Sequence, residues 1–252
     1  MLNVITHGTP TDTPPLLIAH GLYGSARNWG VIAKRLSDER QVIAADMRNH
    51  GASPRFSSHG YEDMADDLAE VIDRFGGQAD VLGHSMGGKA AMMLALRHGA
   101  KLRKLVVADI APVAYTHSQL PYIHAMRAVD LSQVTRRSEA ETQLAAQGVE
   151  KALQSFFTQS LDLKERRWLL NLDVLEAEMP RIMGFPQITA SWDGPALFLS
   201  GADSDYIRRD HRPAIKTHFP RAGFARIPGA GHWLHADKPR EFEATVRAYL
   251  NR

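Results

Sequence analysis

Three residue types far apart in this chain could together cleave an acyl bond: a serine, a histidine and an aspartate. Ser85 lies in Gly83-His84-Ser85-Met86-Gly87, directly after the apolar run Ala79-Asp80-Val81-Leu82 and directly before Lys89-Ala90-Ala91-Met92-Met93-Leu94-Ala95-Leu96. The G-x-S-x-G spacing predicts a nucleophile elbow, in which a strand ends, the backbone turns sharply and a helix begins at once. Glycines on both flanks leave room where strand and helix pack, and the turn forces the central serine into a strained conformation. Its hydroxyl would then stand above the sheet, with the positive end of the new helix beneath it.

A serine hydroxyl is a weak nucleophile near neutral pH. It needs a base within hydrogen-bond reach, and that base needs a carboxylate to fix its tautomer and stabilise its cation. Of twelve histidines, His232 has the most distinctive setting, the glycine-rich loop Gly229-Ala230-Gly231-His232-Trp233 ahead of a C-terminal helix. The order serine before histidine suits a strand-turn-helix elbow. His235 has no carboxylate or further histidine at a metal-ligand spacing, so it reads as a structural or surface residue, and no metal site is implied.

The acid has two candidate positions. One follows Ala196-Leu197-Phe198-Leu199-Ser200-Gly201, where the expected site is Ser204 and the acids Asp203 and Asp205 flank it. The other is Asp109, at the end of Leu105-Val106-Val107-Ala108, where sites in open α/β sheets gather. A carboxylate there is costly to bury without a partner, and an imidazole would supply one. Asp109 therefore ranks first, with Asp203 as the alternative. Negative charge on the attacked carbonyl oxygen also needs donors. His20-Gly21-Leu22-Tyr23-Gly24-Ser25 follows the run Leu16–Ala19 and has the character of an oxyanion-hole loop. The backbone N–H groups of Leu22 and Met86 are the expected donors, while His20 reads as a residue that orders the loop.

These residues must be positioned by a scaffold, and the hydrophobic pattern indicates which. Leu16–Ala19, Gln41–Ala45, Asp80–Leu82, Leu105–Ala108 and Ala196–Leu199 are short, nearly continuous apolar runs, the signature of parallel strands covered on both faces. Helical patterns over Trp29–Leu36, Tyr61–Phe75, Gly88–His98 and Arg240–Leu250 alternate with them. In the second of these helices, Met64, Leu68, Val71 and Ile72 share one face, and the acidic residues mostly take the other. The alternation predicts an α/β fold with a mostly parallel, doubly wound sheet. Between about residues 114 and 194 the rhythm breaks: Ser138–Gln147 and Val149–Gln159 look helical, and no comparable strand run appears. Residues 1–113 and 195–252 are expected to form the core, and 114–194 an inserted helical cap that shields the site and shapes an acyl pocket.

Composition narrows the function classes. Thirty Lys and Arg against 28 Asp and Glu give a formal charge of +2, with no basic run, so nucleic acid is not an expected partner. There is no cysteine, which excludes disulfides, thiolate catalysis and cysteine-held metals. No stretch approaches the ~20 apolar residues of a membrane span, and the first residues lack a signal-peptide pattern; a soluble cytoplasmic protein is the expectation.

With these pieces placed, the chain resembles the α/β-hydrolase superfamily along essentially its whole length. The matching series is His20-Gly21, Asp46 to Ser53, Gly83 to Gly88 and Gly229 to Trp233. The resemblance implies that Asp46 and Arg48 tie loops together rather than react. Within the superfamily the chain is most similar to the YbfF-type esterase branch, through Asp46 to Gly51, Asp109-Ile110-Ala111-Pro112-Val113, Trp168 with Asn171 and Leu172, and Gly231 to Ala236. In that branch the triad acid follows the earlier strand, which implies Ser85, His232 and Asp109. Asp203 stands where an asparagine is usual there, so the second assignment stays open. The implied activity is a cofactor-free serine esterase acting on small-molecule acyl esters, with acyl-CoA thioesters as a further class. Alternatives on the same triad are carbon–carbon bond hydrolases and cofactor-free haloperoxidases; the rival from another class is a non-catalytic, hydrolase-like ligand sensor. The sequence leaves oligomeric state open.

Overall fold

The computed structural model describes residues 1–252. Its first part runs β1 (Val4–His7), β2 (Leu16–Ala19), α1 (Gly30–Leu36), β3 (Val42–Ala45), α2 (Tyr61–Arg74), β4 (Ala79–His84), α3 (Met86–His98) and β5 (Leu102–Ala108). A mainly helical stretch follows: α4 (Leu120–Arg127), α5 (Arg137–Ala146), α6 (Lys151–Thr158), the short pair β6 (Leu161–Asp162) and β7 (Arg167–Trp168), α7 (Leu172–Ala177) and α8 (Met179–Met183). The chain then returns through β8 (Ala196–Gly201), α9 (Arg212–His218), β9 (Ala222–Ile227), α10 (Leu234–Asp237) and α11 (Pro239–Leu250).

Seven strands form one sheet in the order β1-β3-β2-β4-β5-β8-β9. Only β1 runs antiparallel to its neighbour. Every residue of β2, β3, β4 and β8 is buried, which accounts for their unbroken apolar sequences. Alternate residues serve opposite faces. Leu17, Ile43, Val81 and Val107 pack with residues of α2 and α3, whereas Leu16, Ile18, Val42 and Val106 pack with residues of α1 and α11. Each large apolar side chain fully buried in these layers contributes roughly 1.5–3 kcal/mol.

The strands that the hydrophobic pattern did not indicate lie at edges or are very short. β1 and β9 are the two edge strands, with mixed burial along their lengths, so neither requires a continuous apolar run. β6 and β7 pair through two residues each. On α2 the polar face has one exception: Asp67 is buried because Arg48 grips it with two bonds, Nε to Oδ2 at 2.6 Å and Nη2 to Oδ1 at 3.0 Å. Asp46 similarly accepts from the backbone of Ala26 and Ala52 and from the Asn3 amide.

The sheet order also sets where a site can form. From β2 the chain moves outward to β3, then crosses back to place β4 on the other side of β2. The loops leaving the carboxyl ends of β2 and β4 therefore diverge, opening the crevice in which ligands of such sheets bind.

Candidate active site

Ser85 is the single residue between β4 and α3, with φ 52° and ψ −121°. That conformation costs of order 1–3 kcal/mol and persists only because its surroundings enforce it. The Ser85 N–H donates to the Ala108 carbonyl at 3.0 Å, and its own carbonyl accepts from the Lys89 N–H at 3.1 Å. The flanking glycines are required by close approach. A Cβ on Gly83 would collide with the Gly87 carbonyl, and one on Gly87 with the carbonyls of Ala19 and His20.

Asp109 leaves the end of β5 with φ 54° and is fully buried. Its carboxylate accepts three hydrogen bonds: from His232 Nδ1 at 2.8 Å, from the Ser204 hydroxyl at 2.5 Å and from the Gly201 N–H at 3.2 Å. A carboxylate only accepts, so Nδ1 carries the imidazole proton and Nε2 turns its lone pair to Ser85 Oγ, 3.1 Å away. The structure thus brings together Ser85, His232 and Asp109. Asp203 and Asp205 are exposed, and Asp203 joins the loop only through its backbone N–H to the Ala230 carbonyl. The position between them is filled by Ser204, whose hydroxyl meets the Asp109 carboxylate instead of replacing it.

Other histidines brace these loops. His84 Nε2 bonds the His232 carbonyl at 2.9 Å, and burial together with the neighbouring imidazoles holds its pKa well below the usual histidine value. His20 bonds the Gly21 carbonyl through Nδ1 and accepts from the Met47 N–H through Nε2. His235 stacks on Trp29 with ring centroids 4.2 Å apart, and burial pushes its pKa down to about 3.

Leu22 and Met86, whose N–H groups are the expected oxyanion donors, both line one cavity beside Ser85. Met86 is the first residue of α3, so its N–H has no helical carbonyl to reach. In the loop after β2, the Tyr23 N–H goes to His50 and the Gly24 N–H to the Gly21 carbonyl, while Leu22 lines the cavity. That cavity has a volume of about 380 Å³. Ser85, Met86 and His232 line it, as do Tyr122, Leu153, Phe156, Phe157 and Met183 from the stretch between β5 and β8. Lys89, which sequence reasoning treated only as a helical residue, is buried one turn beyond Ser85. Its Nζ donates to the carbonyls of Met183 at 3.0 Å and Gly184 at 2.5 Å, and desolvation lowers its pKa to about 7. The signal that could have found it is a lysine inside an otherwise apolar helical run. Sequence reasoning also missed Tyr206, whose ring stacks on that of His232.

Comparison with known proteins places this geometry in context. The model of the alpha/beta hydrolase family matches residues 16–245. Esterase YbfF of Escherichia coli is 39% identical over 244 residues, covering 95% of this chain and 94% of that protein. The mouse sn-1-specific diacylglycerol lipase ABHD11 is 38% identical over 248 residues, covering 94% of this chain and 81% of that protein. Among solved structures, a marine microorganism esterase superposes with a TM-score of 0.92 at 41% identity, covering 98% of both chains. These relatives support ester hydrolysis and do not favour carbon–carbon bond cleavage, haloperoxidase chemistry or a non-catalytic sensor.

Proposed function

The chain belongs to the alpha/beta hydrolase family and is a carboxylic ester hydrolase, and from that premise we propose a two-step mechanism carried by Ser85, His232 and Asp109. Ser85 Oγ attacks the ester carbonyl while His232 Nε2 takes its proton. Asp109 holds the imidazole in the required tautomer and stabilises the imidazolium. The Leu22 and Met86 N–H groups hold the oxyanion, each contributing about 2.7–4 kcal/mol if it resembles oxyanion donors in other enzymes. His232 then protonates the leaving alcohol, and afterwards activates the water that releases the acid from Ser85.

The observation that carries this reading is the continuous path from Asp109 Oδ2 through His232 to Ser85 Oγ, at 2.8 and 3.1 Å. Three residues so far apart in sequence have no packing reason to align donor to acceptor in that order. Residues 114–194 act as a cap, and their apolar side chains receive the acyl chain. A cavity of about 380 Å³ suits small to medium chains and lies at the lower end of the range for ligand pockets. Acyl-CoA thioesters are the finer extension, since a thioester carbonyl needs the same nucleophile and oxyanion donors.

A fluorophosphonate probe tests the mechanism directly. The wild-type protein is expected to label stoichiometrically and Ser85→Ala not at all; labelling of the alanine variant, or none of the wild type, overturns it. A series of aryl esters of increasing chain length, run beside acyl-CoA substrates, then fixes the acyl range.

A further inference from the structure

The hydrogen bonds to His232 hold the edges of its ring but not its faces. One face is covered by Tyr206, with centroids 4.0 Å apart and planes 21° apart, close enough to parallel to count as stacked. Tyr206 is itself fastened at three points. Its N–H reaches Ser204 Oγ at 3.3 Å, its carbonyl accepts from the Tyr115 hydroxyl at 2.7 Å, and its phenol oxygen lies 2.8 Å from His117 Nε2. Ser204 in turn bonds Asp109, so the loop that carries Tyr206 is tied to the acid as well as to the base.

We propose that Tyr206 is a positioning residue for ester hydrolysis, its ring holding the His232 imidazole in plane between Asp109 and Ser85 and stabilising the imidazolium formed as Ser85 is acylated. This rests on the triad reading above. A cation over an aromatic face is attracted by the ring quadrupole, more strongly where water is excluded. The groups around His232 give that attraction a purpose. Asp109, from the end of β5, is the one opposite charge. His84 from β4 and His117 from the stretch after β5 both have pKa values lowered by burial, so neither adds a positive charge near neutral pH. His235 from α10, also within electrostatic reach of His232, is likewise held neutral by burial. Ser85, Trp233 and Tyr206 are further neighbours, and of these only Tyr206 lies flat on the imidazole.

Three measurements test the proposal. In wild-type protein, the His232 ring-proton resonances are expected upfield of ordinary imidazole positions because of the tyrosine ring current; ordinary positions overturn the stacking. Tyr206→Leu keeps bulk but loses the aromatic face. It is expected to lower kcat/KM roughly tenfold and to move the acidic limb of its pH profile down by about half to one pH unit, because the imidazolium has lost support. Tyr206→Phe keeps the face and is expected to retain the wild-type midpoint. A leucine variant whose rate falls with an unmoved limb, or a phenylalanine variant whose limb moves as far as the leucine variant's, overturns the proposal. Fluorophosphonate labelling of each variant separates this failure from failure of the Ser85 mechanism, which would appear in the wild type.

Discussion

Asp80, in β4, and Asp109, just past the end of the adjacent β5, sit at opposite ends of those two strands, and both are completely buried. Their partners differ in kind. Asp80, near the start of β4, is held between two guanidinium groups: Arg40 Nη1 at 2.6 Å from Oδ2, and Arg103, whose Nε is 2.8 Å from Oδ1. These cations stay charged at any pH the protein meets. Asp109 has instead an imidazole, a serine hydroxyl and a backbone N–H. Burial alone therefore does not mark a reactive carboxylate. A partner with fixed charge closes the site into a clamp for the chain, whereas a partner able to gain and lose a proton leaves it able to support a reaction.

The sharpest way to break this contrast is to neutralise each acid in turn. Asp109→Asn is expected to reduce kcat about 10⁴-fold, the loss seen when the corresponding acid of a serine protease is made an amide, with the unfolding temperature little changed. Asp80→Asn should do the opposite. Leaving buried arginine charge uncompensated costs about 3–5 kcal/mol, which for a chain of this size lowers Tm by roughly 10 °C, while activity well below Tm persists. Exchange of these two phenotypes would refute the comparison.

A third class of buried group, the imidazole with no carboxylate partner, sharpens it further. His59 is fully buried, and desolvation pushes its pKa down to about 3, so it is neutral in the folded protein. The unfolded chain takes up a proton at this residue below its ordinary pKa near 6.5; stability is complete above that pH and drains away as pH falls toward 3. Each pH unit in that window costs about 1.4 kcal/mol, so between pH 6.5 and 5 the loss is about 2 kcal/mol. Urea unfolding midpoints at pH 7 and 5 measure it, and His59→Gln should narrow the difference. The smallest effect is expected from Asp203→Asn, an exposed carboxylate: kcat within about twofold of wild type, since surface substitutions of this kind alter little. A loss rivalling that of Asp109→Asn would reverse the choice of acid.

How much the sequence disclosed follows from where each element lies. The interior strands were legible because helices cover both their faces, and the elbow because Gly83 and Gly87 answer to a packing constraint that no other residue meets. The edge strands β1 and β9 were not, since a half-exposed strand tolerates residues such as Thr6 and Arg226. At the site, Ser85 and His232 carry local glycine signatures, whereas the choice between Asp109 and Asp203 depends on which loop curls inward, a matter of tertiary packing. Tyr206 and Lys89 were silent for the same reason. A tyrosine in a loop and a lysine in a helix are unremarkable until the face of one is found against an imidazole and the ammonium of the other on the end of α8.

The crowding around Gly83 and Gly87 bears on how proteins of this architecture can diversify. Where the backbones of β2, β4 and α3 touch, even a methyl group has no space, so the turn that carries Ser85, the proposed nucleophile, has almost no room to vary. On the mechanism proposed above, variation in substrate range would come from cavity residues outside the turn, such as Tyr122, Leu153 and Phe156. The proposed reagent is thus fixed by packing, while the residues around it stay open to exchange.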